Sequence, residues 1–224
     1  MTSDQPLRPD SPEAHALNFA SRAGAKLHHA IMEFGLEPAG QQCADLGCSA
    51  GGFVSCWLHH GAARVHAVDT AYGVLDYRLR SDPRVNTIER TNALHAAPPG
   101  ELANAGLARF VSVDLSWTPQ HLALPAAARW TAPDGGLIVS LVKPHYEASA
   151  PLWRERFGAM LKRGALAPDT AETVTDAVLD HASQELGFEL LGRVVSPIAG
   201  GKSSRKRKGP ANTEFLALLR PPGP

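Results

Sequence analysis

The sequence has few cysteines, no excess of charge of either sign and no long apolar run, and each absence excludes a class of protein. The 224 residues include only three cysteines, an odd number that argues against a secreted disulfide scaffold. Lys plus Arg equals Asp plus Glu, at 22 each, so the total charge indicates no partner. The longest apolar stretches, such as 137–142, are too short to cross a bilayer, and residues 1–13 lack the apolar core of a secretory signal. We therefore expect a soluble, cytoplasmic protein that has no contact with a membrane.

The three cysteines also lack the arrangement of a metal site. Cys43, Cys48 and Cys56 lie in one short stretch, and their spacing fits no common zinc pattern. We expect reduced thiols in the protein core and no bound metal.

The pattern of apolar residues predicts an α/β fold. Five predicted strands, at 43–46, 64–68, 86–89, 110–113 and 136–142, alternate with predicted helices at 19–35, 53–60, 72–80, 119–130 and 170–185. Such alternation is typical of a parallel sheet with helices on both faces.

The end of the chain predicts a reversed strand in this sheet. Predicted strands at 188–195 and 214–219 are joined by a loop without a helix, so this last pair should be antiparallel. We therefore predict a doubly wound, mostly parallel, seven-stranded Rossmann-like sheet with an antiparallel edge strand. Residues 1–16 are expected to form a flexible arm, and residues 17–224 one domain.

A glycine-rich loop follows the first predicted strand. The segment Asp45 to Gly52, with the sequence DLGCSAGG, lies between a strand and a helix, which is the context of a nucleotide-binding loop. Asp69 ends the second strand, 22 residues after Gly47, where a carboxylate can bind ribose hydroxyls, and Asn92 follows the third strand, where an amide could bind adenine. A tight turn without a ligand is the structural alternative.

The acid before this loop favours one cofactor over another. Asp45 could receive the amino group of S-adenosylmethionine, and the glycine spacing departs from that of a dinucleotide site, so we expect S-adenosylmethionine rather than NAD. The expected cofactor-binding residues are Asp45, Gly47, Ser49, Gly51, Gly52, Phe53, Asp69, Asn92 and Asp114.

Five ordered motifs resemble those of the FtsJ/TlyA-type RNA 2′-O-methyltransferases. These motifs are SRAGAK at 21–26, DLGCSAGGF at 45–53, VDLSW at 113–117, LVKPHYE at 141–147 and NTEF at 212–215. The segments 64–69 and 89–93 are similar to those of TlyA-type members in particular, and the resemblance spans residues 18 to 220. It implies a methyltransferase fold and methylation of RNA. The expected partner is ribosomal RNA or a ribosomal subunit.

The resemblance also implies a catalytic tetrad of Lys26, Asp114, Lys143 and Glu214. A ribose hydroxyl needs a base to take its proton during attack, and Lys143 is the candidate. Burial, Lys26 and a sulfonium nearby disfavour a positive charge on Lys143, whereas Asp114 and Glu214 favour it. The methyl group would then move by in-line displacement, with positioning as the main source of acceleration.

Each of the four residues also has a structural alternative. Lys26 could be a solvated surface lysine, and Asp114 with Lys143 a structural ion pair. Glu214 could keep an edge strand soluble.

A basic loop precedes the last predicted strand. Lys202, Arg205, Lys206, Arg207 and Lys208 concentrate positive charge there, and we expect them to bind RNA phosphates; a solvated loop is the alternative. TlyA-type proteins usually begin with a small RNA-binding domain, whereas about 20 residues precede the Lys26 motif here, and Ala23 replaces a usual glycine. The resemblance is therefore to a TlyA-like protein without that domain, and the basic loop could replace it.

Two other functions fit the same residues. One is a methyltransferase of a small hydroxylated substrate, which would bind the cofactor but not RNA. The other is a ribosome-assembly factor that binds RNA without turnover. A membrane-active haemolysin is disfavoured because the sequence has no spanning segment and no strongly amphipathic exposed helix.

Overall fold

The computed structural model describes residues 18–200 and 212–223. The arm predicted for residues 1–16 lies outside this range. The helices are α1 (Ala23–Phe34), α2 (Gly52–His59), α3 (Tyr77–Arg80), α4 (Gly100–Asn104), α5 (Gln120–Ala128), α6 (Pro144–Glu147), α7 (Pro151–Phe157) and α8 (Pro168–Gln184), with a 3₁₀ turn at Gly158–Met160. The strands are β1 (Gln42–Leu46), β2 (Arg64–Val68), β3 (Val85–Ile88), β4 (Phe110–Val113), β5 (Leu137–Val142), β6 (Glu189–Val195) and β7 (Phe215–Arg220).

The seven strands form one sheet in the order β3-β2-β1-β4-β5-β7-β6. The pairs among β1 to β5 are parallel, whereas β7 pairs antiparallel with both β5 and β6. This architecture confirms the predicted fold class. Both antiparallel pairings lie at one edge of the sheet, and the reversed strand occupies the second position there, with β6 outside it.

The segment before α3 differs from the prediction of a helix over 72–80. Gly73 has a left-handed φ of 73°, and its N–H donates to Glu89 at 2.8 Å, so the chain turns there instead of forming a helix. The helix begins only after Asp76, whose carboxylate accepts from the Arg78 N–H. The short helices α4, α6 and α7 are additional elements that apolar periodicity did not reveal, because they contain only four to seven residues.

The sheet separates two apolar cores. Alternate residues of β1 point to opposite faces: Cys43 packs with α1 and α2, and Ala44 packs with α5 and α8. The four-turn helix α8 buries one face of apolar residues, including Val174 and Val178. None of the helices in the described residues is long and apolar enough to cross a membrane.

The topology brings several motif residues to one edge of the sheet. Asp114 and Lys143 follow the carboxyl ends of the neighbouring parallel strands β4 and β5. β7 runs in the opposite direction and pairs Phe215 with Val142, so Glu214 enters the sheet where Lys143 leaves it. This edge is where ligands bind in open α/β sheets.

Candidate active site

Two lysine–carboxylate pairs lie at this edge. The Lys143 amine donates to the Asp114 carboxylate and, at 3.3 Å, to the Ser116 carbonyl oxygen. The Lys26 amine donates to Glu214 Oε2 at 2.5 Å. Lys26 is 9% exposed and Glu214 only 4%, so this second pair is largely shielded from water. The structure thus joins the four predicted residues into two pairs, one on each side of the β5–β7 junction.

Two of the structural alternatives are excluded by these contacts. Lys26 is not a solvated surface residue, because α1 buries its face against α2 and β7. Glu214 does not keep an edge strand soluble, because it is buried and β6 covers the outer side of β7.

Gly200 packs against the Glu214 carboxylate oxygen that does not contact Lys26. Its N–H donates to the Asn212 carbonyl at 2.8 Å, and the Ser196 N–H donates to the Glu214 carbonyl at the same distance. A Cβ at Gly200 would lie 2.0 Å from Glu214 Oε1. This contact could not be predicted from the sequence, since a glycine in a glycine-rich loop is usually only a turn residue.

The loop after β1 turns through three left-handed backbone positions. Gly47 and Gly51 have φ of 91° and 93°, and Ser49 has φ of 47°. A Cβ on Gly47 would lie 2.2 Å from the Asp114 carbonyl oxygen, and one on Gly52 would lie 2.3 Å from Ser21 Oγ. Glycine is therefore required here for both the turn and the close packing.

Asp45 is a buried carboxylate with one oxygen satisfied. Oδ1 accepts from Ser112 Oγ at 2.7 Å, and the same hydroxyl accepts from Trp57 Nε1 at 2.9 Å. Oδ2 is buried without a hydrogen-bond partner. Burial raises the pKa of Asp45 to about 7, opposed by the Ser112 hydrogen bond and increased by the charges of Asp114 and Asp69. A buried orphan oxygen of this kind fits the amino group of a ligand.

Asp69 organises the turn beside the glycine loop. Its two oxygens accept from the N–H groups of Ser49 and Ala71, each at 2.8 Å. The Thr91 N–H donates to the Asp69 carbonyl at 2.9 Å, which brings Asn92 to the same end of the sheet. Asn92 is exposed, and its side-chain oxygen accepts from the Leu94 N–H.

The other predicted site residues are Phe53, which lies in the core, and the predicted RNA-binding residues. Phe53 is 3% exposed and packs in the core between the sheet, α1 and α2, so the structure places its side chain among core residues. The predicted RNA-binding residues lie outside the described part of the chain; they are Lys202, Arg205, Lys206, Arg207 and Lys208.

A buried polar network beneath Lys143 was not predicted from the sequence. Ser140 Oγ donates to Gln120 Oε1 at 2.6 Å, and Gln120 Nε2 donates to the Leu141 carbonyl at 3.3 Å. Glu147 Oε1 accepts from the Gln120 N–H at the start of α5. Burial raises the Glu147 pKa to about 7, and the Gln120 N–H opposes that shift. This network fixes the end of β5 and the first turn of α6, the two segments on either side of Lys143.

Comparisons with known proteins agree on one family. The model of the FtsJ-like methyltransferase family matches residues 19–206. The chain is 35% identical over 202 residues to "16S/23S rRNA (cytidine-2′-O)-methyltransferase TlyA" of Mycobacterium tuberculosis, covering 90% of this chain and 68% of that protein. It is 34% identical over 216 residues to "Putative rRNA methyltransferase YqxC" of Bacillus subtilis, covering 96% and 70%.

A solved structure supports the same conclusion. A "putative hemolysin" from Streptococcus thermophilus superposes with a TM-score of 0.77 at 35% identity, over 91% of this chain and 67% of that one. Both the sequence and the fold are therefore shared along most of the described residues. The chain belongs to the FtsJ-like methyltransferase family, and it is a methyltransferase.

Proposed function

We propose that this protein is an S-adenosylmethionine-dependent RNA 2′-O-methyltransferase that acts on ribosomal RNA. The observation that carries the proposal is the convergence of the Lys143–Asp114 and Lys26–Glu214 pairs next to the glycine loop. The TlyA relative is named for methyl transfer to the 2′-oxygen of cytidine in 16S and 23S rRNA. We also propose that it works in the cytoplasm, where ribosomal subunits are found.

The residues around the glycine loop fit S-adenosylmethionine. Asp45 Oδ2 would accept from its amino group, since this oxygen is buried and has no other partner. Asp69 would bind the ribose hydroxyls through the lone pairs that Ser49 and Ala71 leave available, and Asn92 would bind the adenine. When bound, S-adenosylmethionine supplies an electrophilic methyl group on a sulfonium centre.

The four paired residues would act on the substrate hydroxyl. Lys143 would first lose one ammonium proton to solvent and would then take the proton of the 2′-hydroxyl as its oxygen attacks. Asp114 and the Ser116 carbonyl hold the Lys143 amine in place. Glu214 keeps the Lys26 amine in position on the other side of the β5–β7 junction.

The basic loop supports RNA as the substrate. Residues 202–208 follow the segment that contacts Glu214, and they contain five of the 22 lysines and arginines in a chain without net charge. Lys and Arg that bind phosphates release counterions, so RNA affinity should fall with salt. Neutralising Arg205 to Lys208 should reduce the slope of log affinity against log salt by about 0.7 per lost contact to single-stranded RNA. An unchanged slope would mean that the loop does not bind RNA.

Methyl transfer with purified components tests the function. The protein, with methyl-labelled S-adenosylmethionine, should label ribosomal RNA or ribosomal subunits, and nuclease digestion should release the label as a 2′-O-methylnucleoside. Label on small hydroxylated molecules but not on RNA would indicate the small-substrate methyltransferase instead. RNA binding without transfer would indicate an assembly factor.

A further inference from the structure

Two helices on one face of the sheet bring together three side chains that can bind a metal ion. His28 comes from α1, and Cys56 and His60 come from α2 and the residue that ends it. The ligand atoms of these three residues all lie within 4.8 Å of one another. The cysteine spacing predicted no metal site, because the third ligand comes from a helix 28 residues earlier in the chain.

The two helices place the side chains of His28, Cys56 and His60 around one point. Cys56 and His60 are four residues apart, so one turn of helix places them on the same face. His28 Nδ1 lies 2.8 Å from His60 Nε2, and the two rings stack with centroids 5.0 Å apart. Two ring nitrogens facing each other need one proton between them, and a metal ion can replace that proton by accepting both lone pairs.

The geometry points to a Zn²⁺ site formed by His28, Cys56 and His60. Two nitrogens and one sulfur are ligands that Zn²⁺ prefers, with the fourth tetrahedral position left to water. Tetrahedral bonds of about 2.0 Å to nitrogen and 2.3 Å to sulfur place the nitrogens about 3.3 Å apart. The observed 2.8 Å would therefore lengthen by about 0.5 Å, and the sulfur, which lies within 4.8 Å of both nitrogens, would approach them to about 3.5 Å.

The surroundings favour the metal-binding form of the two histidines, whereas burial raises the pKa of the Cys56 thiol and opposes its thiolate form. Burial lowers the pKa of both histidines, that of His60 to about 4, so both imidazoles are neutral at pH 7. Cys56 is fully buried, and it would give its thiol proton to solvent when the sulfur–zinc bond forms. The second proton, between the two imidazoles, would leave or move to the outer ring nitrogen.

A metal at this point would connect two parts of the active site. His28 lies two residues after Lys26 on α1, whereas Cys56 is on the helix that begins at the glycine loop. Zn²⁺ would therefore fasten the helix that carries Lys26 to the helix that carries the cofactor loop. It would act through the two helices that it joins, since none of its three ligands belongs to the catalytic pairs.

Cobalt spectroscopy of the untagged, full-length, metal-free protein tests the site. Co²⁺ should bind with one equivalent and produce a near-ultraviolet thiolate-to-cobalt band together with the strong visible bands of a four-coordinate site. Cys56→Ala should lose the thiolate band, whereas Cys43→Ala should keep it. Cys43 is a matched control because it is equally buried in the same core. Added Zn²⁺ should displace the cobalt.

A histidine pair gives a second, independent test. His60→Gln should lose most of the visible intensity, whereas His29→Gln, which changes a histidine on the outer side of α1 near Glu33, should keep it. Circular dichroism checks that each variant is folded, and if Cys56→Ala is not, the histidine pair decides. No thiolate band in the wild type, or equal spectra from His60→Gln and His29→Gln, would overturn the site.

Discussion

A methyl group at Gly200 should damage catalysis while leaving the fold intact. The backbone of Gly200 is outside the left-handed region, so alanine fits its conformation. The new Cβ would lie 2.0 Å from Glu214 Oε1, whereas an ordinary carbon–oxygen contact is about 3.3 Å. The carboxylate would have to move by about 1.3 Å, and it would carry its partner Lys26 with it or release it.

The substitution should slow methylation strongly in a protein that remains folded. The added methyl overpacks a buried site, so the free energy of unfolding should fall by about 1–3 kcal/mol, which leaves the protein folded. A misplacement of about 1 Å in an active site can slow a reaction about 100-fold, which corresponds to about 2.7 kcal/mol in the barrier. We therefore expect kcat/KM for RNA methylation to fall about 100-fold in Gly200→Ala.

A second glycine variant serves as the control. Gly100→Ala places its Cβ where no atom lies within 4 Å, at the start of α4 and outside the paired residues. It should keep wild-type kcat/KM. Activity of Gly200→Ala within about twofold of wild type, in a folded protein, would refute the role given to Glu214 and its neighbour.

Three further predictions follow from the same contacts. Lys143→Ala should lower kcat by about 100-fold to 10,000-fold, the usual contribution of a general base, and should leave cofactor affinity unchanged. The control variant Lys162→Ala should change neither kcat nor cofactor affinity. Asp45 has a folded pKa of about 7 above its ordinary 3.8, so its contribution to stability is fully present below pH 3.8 and is lost as the pH rises to about 7. Ionised Asp45 is the form that attracts an ammonium, so calorimetric affinity for S-adenosylhomocysteine should rise up to about pH 7 in wild type and stay flat in Asp45→Asn. Gln120→Ala removes the acceptor of the Ser140 hydroxyl and one donor to the Leu141 carbonyl, and urea unfolding should show a loss of about 1–3 kcal/mol; no loss would mean that water replaces the amide.

The fold was predicted from the order of apolar runs, whereas the four paired residues were predicted from motifs that resemble those of the FtsJ/TlyA-type methyltransferases. Residues such as Asp114 and Lys143 come directly after apolar runs, and parallel strands bring such residues to one edge of the sheet. The reversal of β7 also followed from the missing crossover helix. These features depend on local patterns and on their order along the chain, both of which can be read from one sequence.

The features that were missed depend on contacts between distant segments. Gly200 matters because of where Glu214 points, and Gln120 because Ser140 and Glu147 meet it inside the protein. Buried hydrogen bonds between side chains have no periodicity, so neither spacing nor composition indicates them. Phe53 is predicted from its motif to bind the cofactor, and its side chain lies in the core, a position that the motif alone did not indicate.

Mass spectrometry of ribosomal RNA nucleosides tests the central claim most directly. One 2′-O-methylnucleoside should be absent from the ribosomal RNA of cells that lack this protein and present when the wild-type gene is restored. Restoring the Lys143→Ala variant should leave that nucleoside absent. Identical nucleoside maps with and without the protein, or full methylation by Lys143→Ala, would contradict the assignment.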